Sequence, residues 1–211
     1  SNYCIRCIKD GTGTGYQETL LDIYDEMERQ KVLRNKNGTL PYSELKNMVT
    51  IALQLRETGR AKTILKERAK MVHADARDYV VGFCECAIDM YADRYERVID
   101  AYFRRGSNED PYYETDWKAL ALRSAFELSD ERFDDIAGTF RKYIKETTKL
   151  SAADKPLYDA FVLTTIQLFR VKMGVKKQLK VTNLEKAQRT IEGGKVVLKK
   201  WLGQKLAELR C

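Results

Sequence analysis

The chain is short of histidine, proline and long apolar runs, and each shortage closes a class of function. There is one histidine, His73. A lone imidazole supplies neither the paired ligands of a His-Glu-x-x-His zinc site nor a Cys-His-Asp set with any redundancy. No window approaches the ~18 consecutive apolar residues of a membrane span, so none is expected. No basic stretch followed by an apolar core marks a secretory leader. The cysteines are five, an odd number (Cys4, Cys7, Cys84, Cys86 and Cys211), so a reducing, cytoplasmic setting is expected. β-branched runs are short and none alternates for long at period two. What remains is an all-α expectation, because long segments carry apolar residues at helical spacing.

The three prolines, Pro41, Pro111 and Pro156, each precede a segment with helical periodicity. Proline is tolerated in the first turn of a helix and disruptive inside one. Asp75 adds a fourth helix-start signal between the first two prolines. The marks at 41, 75, 111 and 156 are 34, 36 and 45 residues apart. Each interval holds two amphipathic runs: Tyr42–Thr58 with Arg60–His73, Ala76–Ala92 with Arg94–Arg105, Tyr112–Leu128 with Glu131–Thr147, and Lys155–Met173 with Asn183–Leu209. Gly59, Asp93 and Ser129-Asp130 mark the turns within the first three pairs, and Tyr16–Arg34 precedes them. Helix pairs near this period predict a helical solenoid, since one pair alone cannot bury its apolar face. The expected units are 1–40 (partial), 41–74, 75–110, 111–154 and 155–211, in one domain that continues a longer protein upstream.

The helix–turn–helix unit resembles a degenerate tetratricopeptide repeat, although the family's Trp-x-x-Leu-Gly-x-x-Tyr order is intact in no unit. Residues 112–168 also resemble the end of a group of repeat proteins of Bacteroidota. The likeness lies in Tyr113, Asp116–Lys118, the Leu120–Leu128 helix, Phe140–Ile144, and Leu150-Ser151 followed by Lys155-Pro-Leu-Tyr158-Asp-Ala-Phe161. Trp201–Leu209 is similar to that group's terminal helix. The resemblance implies a right-handed solenoid of stacked antiparallel pairs closed by a long basic capping helix. It implies no activity and no cofactor. It implies a protein or peptide partner on the concave side. In the tetratricopeptide register Lys46, Val49, Leu53 and Arg56 of the first pair face that groove, and Phe83 and Ala87 of the second.

Charge is unevenly spread. Residues 170–211 hold 12 Lys or Arg against three acids, whereas the rest of the chain carries 26 basic and 28 acidic residues. A capping helix with a solvated basic face is one reading. A phosphate-contacting strip for nucleic acid or anionic lipid, using Lys176, Lys177, Lys195 and Lys199, is the other. No aromatic is interleaved with these lysines for base stacking, and Trp201 lies on the apolar stripe, so the cap is favoured.

Two further patterns bear on chemistry. Gly11-x-Gly13-x-Gly15 meets neither the dinucleotide fingerprint nor the phosphate-loop pattern, because Tyr16 and Gln17 stand where glycine, or lysine and serine, would be needed. Cys4 and Cys7 would share a helix face as half a metal site, with two ligands still lacking. Cys84 and Cys86, two apart on a helix, point to different faces, and Cys86 is expected in the core. His73 is expected in a helix's last turn, where a cation suits the dipole. No catalytic residue and no metal site is assigned.

Overall fold

A helix that is apolar on more than one side needs neighbours on more than one side, and two such helices organise this chain. The structure is a computed structural model that describes residues 15–106, 110–174 and 177–210. The described residues form ten α-helices and no strand, with one isolated bridge between Leu40 and Val72. The helices are α1 (Tyr16–Arg29), α2 (Tyr42–Gln54), α3 (Thr58–Arg68), α4 (Ala74–Tyr91), α5 (Tyr95–Arg104), α6 (Pro111–Leu128), α7 (Phe133–Glu146), α8 (Asp154–Lys172), α9 (Lys177–Glu192) and α10 (Lys199–Glu208). A 3-10 turn, Ala69–Met71, comes after α3. None of the described helices is long and apolar enough to cross a membrane. The chain divides into two units, residues 1–97 and 98–211.

In the first unit α2 is the central helix. It packs against α1, α3 and α4, so Leu45, Met48, Val49, Ile51, Ala52 and Leu53 are all buried. Leu20, Leu21 and Tyr24 of α1, Ala61 and Ile64 of α3, and Val80 and Cys84 of α4 are buried as well. Asp25 of α1 accepts hydrogen bonds from Arg60 (2.8 Å) and Arg68 (2.6 Å) of α3. Burial pushes the Asp25 carboxyl up, but the two guanidinium groups outweigh it and hold the carboxyl below its ordinary range.

In the second unit the central helix is α6, with twelve buried residues from Tyr113 to Phe126. It packs against α7 and α8, and α9 and α10 pack in turn on α8. Ile99 and Tyr102 of α5 join this core. Phe133 and Phe169 stack at 3.7 Å between centroids. The C-terminal end of α6 anchors α8 and α10. Lys172 Nζ donates to the carbonyls of Phe126 (2.5 Å) and Glu127 (2.7 Å) in the last turn of α6. The Glu127 carboxylate then accepts from Trp201 Nε1 (3.2 Å) and pairs with Lys205 (2.9 Å), fastening α10.

One joint recurs along the chain. After α1, α2, α4 and α6 a non-glycine residue takes the left-handed conformation: Lys31, Arg56, Asp93 and Ser129, with φ between 56 and 62°. At each, that residue's N–H bonds back three residues and the next N–H bonds back five, as Arg56 to Leu53 and Glu57 to Ala52. This is the Schellman closure, which satisfies two terminal carbonyls and turns the chain out of the helix. The last three joints are 37 and 36 residues apart.

Several expected boundaries move. Gly59 lies inside α3, and the turn falls instead at Arg56. Expected turns at Asp93 and Ser129 are found. His73 does not end a helix. The chain becomes extended at Val72, and His73 caps α4, its Nδ1 accepting from the Asp75 N–H at 3.4 Å. The single long basic capping helix is also corrected. Gly193 and Gly194, the latter at φ 70°, break it into α9 and α10. A Cβ on Gly193 would stand 3.2 Å from the Arg189 carbonyl oxygen.

A side chain other than glycine in the left-handed region costs about 1–2 kcal/mol. Arg56 is exposed, so Arg56→Gly is expected to raise the unfolding free energy by about 0.5–1 kcal/mol after the unfolded-state entropy of glycine is set against it. Arg56→Val is expected to lower it by about 1–3 kcal/mol. Urea denaturation of the two variants checks both signs.

Candidate functional site

α3 and α4 both lean on α2, and a cleft of about 670 Å³ is left open between them. Its lining reflects helical spacing. On α3 and the turn beyond it, Lys62, Leu65, Lys66 and Ala69 form one stripe at i, i+3, i+4 and i+7. Val81, Glu85, Ile88 and Asp89 form the facing stripe on α4. The floor is aliphatic, made of Leu65, Ala69, Val81 and Ile88. The rim is charged, and Arg94 and Arg97 complete it from the joint after α4 and the first turn of α5.

The rim charges are not all matched. Asp89 accepts from Arg94 Nε at 2.8 Å and Nη2 at 2.5 Å. Lys62, Lys66 and Arg97 form no ion pair among the described residues, and neither does Glu85. The cleft therefore presents three unmatched cations and one unmatched carboxylate above an apolar floor.

This is not the surface expected from the repeat register. Val49 and Leu53 are 0% and 1% exposed, and Phe83 and Ala87 are each 6% exposed. All four are core residues: α2 is covered by α1 as well as by α3 and α4, and α4 packs on α2 and α3. Lys46 is half-buried, with its amine 5.9 Å from the centre of the Phe83 ring. Arg56 belongs to the joint after α2, not to a helix face. Of the basic strip, Lys195 and Lys199 are exposed. Lys177 opens α9, and Lys176 lies outside the described residues. Lys172 and Lys205, counted in the same basic excess, are committed inside the second unit. Cys4, Cys7 and the glycine run up to 14 also lie outside the described residues. Cys84 and Cys86 are both buried, and burial pushes the Cys84 thiol up to about 12, which suits a packing role. No group of three His, Cys, Asp or Glu among the described residues is placed to hold a metal ion.

A second charged constellation, also unforeseen from sequence, lies in the second unit. Arg105 grips Glu114 with two bonds, Nη1 to Oε2 at 2.8 Å and Nη2 to Oε1 at 2.7 Å. Lys118, one turn further along α6, reaches Glu114 Oε1 at 3.2 Å and donates to the Tyr102 hydroxyl at 3.2 Å. Arg105 lies over the rings of Tyr102 and Trp117, and Lys118 over Tyr102 and Tyr143. Both Glu114 and Lys118 are only 6% exposed. Burial raises the Glu114 carboxyl, yet the bonds from Arg105 and the charge of Lys118 more than reverse this and hold it below its ordinary 4.5. The charges of Glu114, Arg105 and Lys118 are matched to one another, and a smaller cleft of about 290 Å³ reaches Arg105 and Glu114. The open α3–α4 cleft, with charges still unmatched, is the better candidate for contact with something outside the chain.

Comparison with family models, with curated proteins and with solved structures gives no match to this chain.

The buried cluster has a pH consequence. A carboxylate with a lowered folded pKa adds stability above its unfolded value, and that stability is lost as the pH falls through the folded value. Glu114→Gln is expected to cost about 3–5 kcal/mol at pH 7, because two buried cations lose their counter-charge. The gap between wild type and variant is expected to shrink below about pH 4.5. Denaturation midpoints of both proteins across pH 3–7 check this.

Proposed function

We propose that the chain is a non-enzymatic protein-interaction module built from tetratricopeptide-like helix pairs stacked as a right-handed solenoid, and that it docks a segment of a partner protein. The recurrence of one Schellman joint after α2, α4 and α6, at intervals of 37 and 36 residues, supports the repeat, whereas the joint at Lys31 precedes them by 25 residues. Helices that reverse through the same closure at a regular spacing are what a repeat of paired helices requires. The observation that carries the docking role is the α3–α4 cleft. A concave surface of about 670 Å³ with an apolar floor and a few convergent charges matches the general character of a recognition site. It falls on the second helix of its pair and the first helix of the next. The partner surface is therefore assigned there, and not to the first helices alone.

The nucleic-acid reading rests on residues 170–211 and loses two of its cations, Lys172 and Lys205, to internal contacts. It keeps the exposed Lys195 and Lys199.

Selection from a random peptide-display library tests the docking role. Peptides that share a linear pattern and compete with one another are expected. Their binding should fall more than about tenfold in Ala69→Trp, which fills the cleft, and in Val81→Glu, which charges its floor. Both positions are partly exposed, and the melting temperature of each variant reports on folding. Failure to enrich any peptide, or enrichment of peptides indifferent to both substitutions, contradicts the proposal.

A further inference from the structure

The chemistry of the cleft narrows its occupant, given the docking role above. We infer that the α3–α4 cleft takes an acidic amphipathic helix of a partner protein, apolar along one stripe and carboxylate-bearing along its flank.

Three features of the cleft carry this. The first is the balance of its charge. Lys62 and Lys66 stand one turn apart on α3 and Arg97 lines the same cleft from α5, all exposed and all without an ion-pair partner among the described residues. Against them stands one unmatched acid, Glu85. The Asp89–Arg94 pair at one end is already satisfied at 2.5 Å and asks for nothing. Three cations against one carboxylate leave an excess of positive charge, which a ligand bearing carboxylates offsets.

The second feature is the floor. Leu65 and Ile88 are 8% and 5% exposed, so each shows a small apolar face at the bottom, and Ala69 and Val81 are partly open beside them. Such a floor selects apolar anchors. It has no aromatic ring on which a base could stack, which separates this basic surface from one built for single-stranded nucleic acid.

The third feature is shape. Two helices side by side leave a trough between their ridges, and an α-helix is the element whose own ridge fills such a trough. The α3 stripe runs over eight residues, about 12 Å at 1.5 Å per residue. That length fits about two turns of a partner, with anchors at i, i+3 or i+4, and i+7. The carboxylates then fall along the edge facing Lys62 and Lys66, and the opposite edge, facing Glu85, carries a polar or basic residue.

The test uses the whole chain and three synthetic helical peptides of about 16 residues that share one leucine stripe. Their flanks carry glutamate, glutamine or lysine, and binding is measured by fluorescence anisotropy. The glutamate peptide is expected to bind about tenfold more tightly than the glutamine peptide at ~50 mM salt, and to lose most of that margin at ~500 mM. The combined substitution Lys62→Glu, Lys66→Glu and Arg97→Glu, all at exposed positions, is expected to reverse the order so that the lysine peptide binds best. Circular dichroism and the melting temperature of that variant confirm its fold. Equal binding of the glutamate and glutamine peptides, still sensitive to Ala69→Trp, overturns the acidic class and leaves the docking role standing. No binding by any peptide overturns both. Displacement of the glutamate peptide by a duplex oligonucleotide, dependent on the same three cations, also overturns the inference.

Discussion

The structure depends on two helices that cannot tolerate water on most of their surface. α2 buries residues at positions 45, 48, 49, 51, 52 and 53, which at 3.6 residues per turn spread over an arc of about 200°, wider than one stripe. α6 does the same from Tyr113 to Phe126. Burying a large apolar side chain stabilises by about 1.5–3 kcal/mol, so leaving any side of such a helix open is costly. The other helices take their places from this demand. α1, α3 and α4 close around α2, and α7 and α8 close around α6. Coverage of this kind needs the chain to reverse within a few residues, and the left-handed joints at Lys31, Arg56, Asp93 and Ser129 do so while satisfying the terminal carbonyls.

Paired charge, part-buried at Asp25 and Glu127 and buried at Glu114, then acts as a set of fasteners at positions where helices meet. Asp25 ties α1 to α3, and Glu127 ties α6 to α10 through Trp201 and Lys205. Glu114 holds Arg105 and Lys118 inside an aromatic surround. In each case the acid has opposing groups of its own, and for the buried Glu114 this pairing is what burial of a charge requires. This commitment also redraws the charge map. A basic excess that looks like one C-terminal strip is partly interior. The unmatched cations of the α3–α4 cleft lie in a region that is nearly neutral when its residues are only counted.

Much of the helical content is legible in the sequence because it rests on local signals. Pro111 sits in the first turn of α6, Asp93 and Ser129 end α4 and α6, and the apolar spacing sets the span of α8 to within a residue at each end. The misses have a shared cause. Gly59 draws the expected turn away from Arg56 because glycine is the usual left-handed residue, and an arginine there carries no local sign. Gly193-Gly194 is a visible break, masked by a long amphipathic pattern on both sides of it. The groove residues fail for a different reason. Whether Val49 and Leu53 face a partner or a core depends on α1 arriving over α2, a tertiary fact with no trace in either segment. The cleft combines stripes from α3 and α4 that are ordinary singly, and only their juxtaposition leaves cations unmatched.

Native-state hydrogen exchange tests the central role of α2 and α6 most directly. If each unit is organised around a helix covered over most of its surface, the amides of residues 45–54 and 117–126 exchange last, through opening of the whole unit. Those of α3 and α9, each open to solvent along one face, exchange earlier. Slowest exchange in α3 or α9, with α2 or α6 exchanging early, would contradict the account.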